Sequence, residues 1–234
     1  MANWISFRGV STASLTGVLV AKMPSPKKAE MRHTEYRVRG RDGVLHTDEG
    51  FEAFDMTCVL MLWNSTAANR HIVNAWADGT GKLITSDEDS KCWVASVLKP
   101  IEWNRDYVNG AFYDTAKITF TCQPIMREAT PTTYTLTADG TISSLGNYES
   151  QPLIKVTGSG NCTVSLNGTE MSFSGLSSSV PVFVDCENGY VYTASGATTM
   201  TGEFPHMVLG TNANVVDIGG GTTKVEITAN WGWV

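Results

Sequence analysis

In Phe54-Asp55-Met56-Thr57-Cys58-Val59-Leu60-Met61-Leu62, an apolar residue stands at every second position: Phe54, Met56, Cys58, Leu60 and Leu62. Successive strand side chains point to opposite sides, so these five share one face of an extended strand. Ala116-Lys117-Ile118-Thr119-Phe120-Thr121-Cys122 repeats the pattern, with Lys117, Thr119 and Thr121 facing outward. Both read as half-buried strands. Further on, Cys162, Val164 and Leu166 alternate into Asn167-Gly168, and Met171 and Phe173 follow. A second pair, Asn188-Gly189, separates Val182-Phe183-Val184 from Tyr190-Val191-Tyr192. Asn-Gly tolerates the positive φ angles of a type I′ turn, so each pair predicts a tight hairpin. Val225, Ile227, Ala229 and Trp231 alternate after Gly219-Gly220-Gly221, which reads as one more hairpin.

One segment departs from period two. Ser65 or Thr66 can cap a helix that carries Ala68, Ile72, Ala75 and Trp76 on one face, with Gly79 or Gly81 ending it. The stripe predicts packing against a sheet. A boundary is expected around residues 125 to 135, where Pro124, Pro131 and the Thr130 to Thr133 cluster interrupt the strands. Nearly all Lys and Arg residues lie upstream, and downstream the chain is Ser/Thr/Gly-rich with short strands and turn signals, the pattern of a β-sandwich. The reading is therefore mainly β, with a first domain over residues 1–130 that holds one helix and a sandwich over residues 131–234.

Composition narrows the function. Hydrophobic residues at 42% and charged residues at 17% fit a soluble globule over a disordered or membrane chain. A net charge of −6 argues against binding nucleic acid, whose backbone is held by clustered Lys and Arg. Met1-Ala2-Asn3-Trp4 lacks a basic region followed by an apolar core, and no run of about 18 apolar residues occurs. Neither a signal peptide nor a membrane span is expected. The cysteines, Cys58, Cys92, Cys122, Cys162 and Cys186, are odd in number, scattered and never C-x-x-C, so they read as small buried hydrophobes.

Signs of chemistry are sparse. His33, His46, His71 and His206 show no ligand spacing, and no nucleophile elbow, zinc helix or phosphate loop occurs. No catalytic residue, cofactor or metal site is assigned. Asp87-Glu88-Asp89 is the densest acidic cluster and reads as a solvated turn. Glu149, Asp185 and Glu203 could supply a carboxylate pair for glycoside cleavage, as chains of this size commonly could. Tyr190, Tyr192, Trp231 and Trp233 could form a sugar-stacking platform, making the second domain a carbohydrate-binding module for host-surface adhesion. Their alternation equally suits a core or a subunit contact, the preferred reading.

The order of these motifs resembles the distal tail protein family of siphophages and related prophages. Phe7-Arg8-Gly9-Val10 is followed by Val38-Arg39-Gly40-Arg41-Asp42-Gly43-Val44-Leu45, which looks like the family's R-D-G hairpin. Ala75-Trp76-Ala77-Asp78-Gly79-Thr80-Gly81-Lys82-Leu83 is similar to its W-x-x-G-x-G-x-L stretch, and Phe120-Thr121-Cys122-Gln123-Pro124 to its F-x-C-x-P close. Gly146 to Gly160 resembles the lead into its galectin-like sandwich, followed by Val182 to Asp185, Gly202-Glu203-Phe204-Pro205 and Leu209 to Asn212. Arg41, Asp42, Gly43, Trp76, Gly79, Gly81, Phe204 and Pro205 are expected to preserve shape: a tight reversal at Arg41-Asp42-Gly43, and a Phe204 ring anchored before Pro205. The resemblance implies a non-enzymatic structural protein of the virion tail tip, assembled in the bacterial host cytoplasm. It implies six copies in a ring, the first domains ring-forming around a channel and the galectin-like β-sandwiches projecting outward. The implied partners are the tail tube protein, the tail-associated hub or tip protein of the baseplate and receptor-binding proteins, with DNA only in transit and no membrane. On that reading Asp87, Glu88 and Asp89 lie near an acidic lumen.

Overall fold

The computed structural model describes residues 3–108 and 110–234; Met1 and Ala2, with which the N-terminal reading opens, lie outside the described residues. The chain is mainly β and forms two compact units, the first running to Ala129 and also taking in Val234, the second Thr130–Trp233. Among the described residues one α-helix occurs, and no helix is long and apolar enough to cross a membrane.

In the first unit, Phe54–Trp63 and Ala111–Cys122 pair antiparallel, and the register sets Leu60 against Ala116, Cys58 against Ile118 and Met56 against Phe120. Directly opposed residues share a sheet face, so the two alternating runs combine into one apolar surface. All six of those side chains are buried. Outward from this pair the sheet continues through Lys91–Val97, Gly79–Thr85, Ile5–Phe7 and Val10–Ser11 on one side and Val18–Lys22 on the other.

The helix is Ala67–Trp76. Thr66 caps it: its hydroxyl accepts the Asn69 N–H (3.3 Å) while the Asn69 amide oxygen accepts the Thr66 N–H (3.1 Å), a reciprocal capping box. The expected apolar stripe is corrected. Ala68, Ile72 and Ala75 are exposed, and Val73, Trp76 and the following Ala77 are buried. Arg70 explains the roll of the helix. Its Nη1 donates to Asp114 Oδ2 (2.8 Å), which turns Arg70, and Val73 three positions on, towards the sheet.

The second unit is built on two long antiparallel strands, Leu153–Leu166 and Asn214–Thr228. Their first shared half borders Val182–Asp185 and Tyr190–Thr193; their second half borders Thr169–Leu176. Both halves line one core, Ile154, Val156, Val184 and Ile227 from the first and Val164, Leu166, Met171 and Val216 from the second. One sheet thus curls into both layers of a sandwich. The hairpin expected at Gly219-Gly220-Gly221 is absent: the three glycines lie inside the strand Asn214–Thr228, where it crosses its partner. The register shifts there, between Thr157 and Cys162. A Cβ on Gly221 would collide with the Ser159 carbonyl oxygen, and one on Gly158 would stand 2.5 Å from both Cys162 Sγ and the Gly221 oxygen. Side chains are excluded because two backbones touch.

Asn167 (φ 54°) and Gly168 (φ 81°) both take left-handed backbone and make the expected two-residue turn. At Asn188-Gly189 the loop is longer. Asp185 opposes Tyr190, and the Asp185 carboxylate accepts the Asn188 backbone and side-chain N–H groups (both 3.0 Å), so only Gly189 is left-handed. The five cysteines are free and buried, and burial pushes the thiols of Cys58, Cys122 and Cys186 up to about 12.

Candidate functional site

Three of the motifs that carry the family resemblance, those around Phe7, Trp76 and Phe120, meet in the first unit. Arg8 (φ 53°) lies across the glycines of the later motif, donating Nη1 to the Asp78 carbonyl (2.7 Å), and a Cβ on Gly81 would stand 2.6 Å from Arg8 Cγ. Gly79 (φ 82°) leaves the helix in a left-handed turn. Trp76 donates its indole N–H to the Val10 carbonyl (2.8 Å) and packs edge-on with Phe7 and Phe120, at 6.1 and 6.2 Å. Phe7-Arg8-Gly9-Val10 and the tryptophan-glycine stretch are therefore two halves of one packed joint. Nothing in it is poised to react.

Between Tyr36 and Leu45 the chain reverses over residues 37–44, with left-handed glycine at both Gly40 and Gly43. The tight turn expected of Arg41-Asp42-Gly43 is thus opened into a longer tip, whose first turn is closed by the Arg41 N–H on the Val38 carbonyl (3.2 Å). The strands it joins, Met31–Tyr36 and Leu45–Phe51, form a two-stranded ribbon that pairs with no other strand among the described residues. Most of its residues are exposed on both faces. It also brings together histidines that show no ligand spacing in the sequence. Glu35 opposes His46, and one ligand atom each of His33, Glu35 and His46 lies within 4.8 Å of the others.

Asp87, Glu88 and Asp89 occupy the turn between Gly79–Thr85 and Lys91–Val97. Glu88 is ion-paired to Lys91, whereas Asp87 and Asp89 are exposed. In the second unit, Tyr190 and Tyr192 are not core residues. Val182, Val184 and Val191 take the core side of their strands, leaving Phe183, Tyr192 and Tyr190 on the outer face. Phe183 and Tyr192 stack at 5.1 Å with 12° between ring planes, and Tyr190 follows at 5.2 Å. The stacked Phe183 and Tyr192 cover one face of each other, while Tyr190 stays exposed. Trp231 is fully buried, donating its indole N–H to the Tyr134 hydroxyl (3.4 Å), and Trp233 packs on the same core. Trp231 and the tyrosines therefore do not share one platform. Phe204 is also corrected: the residue is 38% exposed, while Pro205 is the buried member of the pair.

Sequence reading missed the polar centres. Asp114 is buried and accepts Arg105 Nε (2.6 Å) and Nη2 (2.9 Å), the Arg70 guanidinium and the Ser65 hydroxyl. These donors, Arg105 first, hold its carboxyl well below the usual carboxylate range. In the second unit the buried Asn214 amide accepts from the Val208 N–H (2.7 Å) and Asn167 Nδ2 (3.0 Å), and donates to the carbonyls of Val208 and Ile142. It clasps the segment around the buried Met207. Their only signal in the sequence is a carboxylate or amide inside a strand-like run, which names no partner.

This is a β-rich, two-unit architecture with structural joints. Compared with known proteins, the sequence matches no family model and no curated protein. The structure does match. It is similar to the SPP1 Dit protein, described as a paradigm of the hub adsorption apparatus in phages that infect Gram-positive hosts, with 13% identity, a TM-score of 0.69 and full coverage of both chains. A chain of the phage P2 baseplate in its calcium-activated conformation matches at 9% identity and a TM-score of 0.50, with 97% of each chain covered. The distal tail protein fold implied by the motifs is the fold of this chain.

Proposed function

We propose that this protein is a phage distal tail protein, a non-enzymatic hub in the virion tail tip. The observation that carries the reading is the similarity to SPP1 Dit, which runs through both units in order over the full length of both chains. In this reading six copies close into a ring around a channel for DNA, between the tail tube protein and the tail-associated hub of the baseplate. Receptor-binding proteins dock outside, and assembly takes place in the bacterial host cytoplasm. A closed ring needs two different faces of each subunit to meet. The first unit carries apolar surface suited to such a contact: Leu98 and Tyr107 are 74% and 71% exposed, with Leu19 and Trp63 also open. Asp87 and Asp89 are assigned to the lumen, where carboxylates would let DNA slide without adhering.

Light scattering after size-exclusion chromatography, with negative-stain imaging, tests the ring. Six-fold rings are expected from the purified chain or on adding its tail tube partner. A strictly monomeric protein at micromolar concentration with that partner supplied would sink the proposal.

A further inference from the structure

The exposed ribbon holds a set of side chains that the tail-hub reading leaves unused. His33 and Glu35 are two apart on one strand and so share a face; His46 opposes Glu35 on the other strand, and Asp48 opposes His33. The two imidazoles meet edge to face at 5.2 Å, and His33 Nε2 stands 3.9 Å from Glu35 Oε1. The other nitrogen of His33 is already engaged. Nδ1 lies 3.3 Å from the Met31 carbonyl, which can only accept, so the neutral tautomer that suits this contact has its proton on Nδ1 and a lone pair on Nε2. Metal-binding histidines are commonly oriented in this way, by a backbone carbonyl on the second ring nitrogen.

We propose that His33, Glu35 and His46 bind a divalent transition-metal ion of the zinc class, with Asp48 or water as the remaining ligand. Two imidazoles and a carboxylate suit zinc better than calcium or magnesium, which favour all-oxygen sites. Ligand atoms on a tetrahedral zinc at ~2.1 Å stand roughly 3.4 Å apart. Side-chain rotation can close the present separations, since all three residues are exposed and nothing packed must move. The ion would staple the strands together. A lone two-stranded ribbon is marginal in water, and this one buries little, so a link across its tip-side half would add most where packing adds least.

The inference does not depend on the tail-ring proposal, and its test needs no partner. Calorimetric titration of the full chain with zinc chloride is expected to show one equivalent bound. His33→Ala and His46→Ala should each weaken binding about tenfold or more, Glu35→Gln less, and His206→Ala not at all. Cobalt(II) in place of zinc should give visible absorption bands that vanish in His46→Ala. Trypsin reports the staple through its cleavage sites Arg37, Arg39 and Arg41 at the tip, where zinc should slow cutting in the parent chain but not in His46→Ala. Circular dichroism verifies that each variant is folded. No binding by the parent chain, or equal binding by parent, His33→Ala and His46→Ala, overturns the site; cleavage of the parent at the same rate with and without zinc overturns the staple.

Discussion

The ribbon Met31–Tyr36/Leu45–Phe51 and the strand pair Leu153–Leu166/Asn214–Thr228 are both antiparallel two-strand ladders, and they are stabilised in opposite ways. The long pair turns its alternate residues, Ile154, Val156, Val225 and Ile227, into a core and has strands on its outer edges as well. The ribbon presents polar side chains on both faces and pairs with no other strand among the described residues. Identical hydrogen-bond ladders thus leave one pair fixed and the other dependent on whatever meets its surface, because the ladder largely exchanges water for protein partners while burial supplies the net gain.

The largest test of this contrast lies at the strand crossing. Gly221→Val should destabilise the second unit by at least ~3 kcal/mol, since the new side chain meets the Ser159 carbonyl with no flexible neighbour to yield. Urea unfolding followed by tryptophan fluorescence measures it, and a near-neutral substitution would mean that the backbones do not touch there. Next comes Asp114→Asn, expected to cost on the order of 2–3 kcal/mol at neutral pH because Arg70 and Arg105 lose their charged acceptor. The folded carboxyl titrates below its unfolded value, so its contribution is full above the unfolded pKa of about 4 and declines as pH falls towards the folded one. The stability gap between parent and Asp114→Asn should therefore narrow below about pH 4, and a gap independent of pH refutes the charge assignment.

Thr66→Ala should cost about 1 kcal/mol through loss of the helix cap, read as a shift in urea midpoint with unchanged slope. The smallest effect belongs to the ribbon. Tyr36→Ala and Leu45→Ala should each change monomer stability by less than ~0.5 kcal/mol, as exposed positions do. A larger loss would show that the ribbon packs against something in the free chain, and would erase the contrast with the long strands.

The sequence made the regular parts legible. Alternation in 54–62 and 116–122 located two strands by their apolar faces, five residues in one and four in the other, but not that the two pair. Asn167-Gly168 was readable since its turn is a local φ requirement. Gly219-Gly220-Gly221 misled for the complementary reason: glycine also marks a close approach to a distant backbone, and the distant partner, Ser159 to Asn161, is invisible in a local window. The helix face failed similarly, because Arg70 reaches an aspartate 44 residues away and sets the roll that Ile72 would otherwise dictate. The histidine cluster was hidden as well. It arises from cross-strand register, and the ligands His33 and His46 are far from any sequence spacing that signals a metal.

The glycine crossing has a mechanical corollary. Because Leu153–Leu166 and Asn214–Thr228 each pass from one layer of the sandwich into the other, the layers are joined by continuous main chain at two adjacent points as well as by packed side chains. A force that tries to slide one layer over the other must therefore break ladder hydrogen bonds at the crossing as well as shear the packed core.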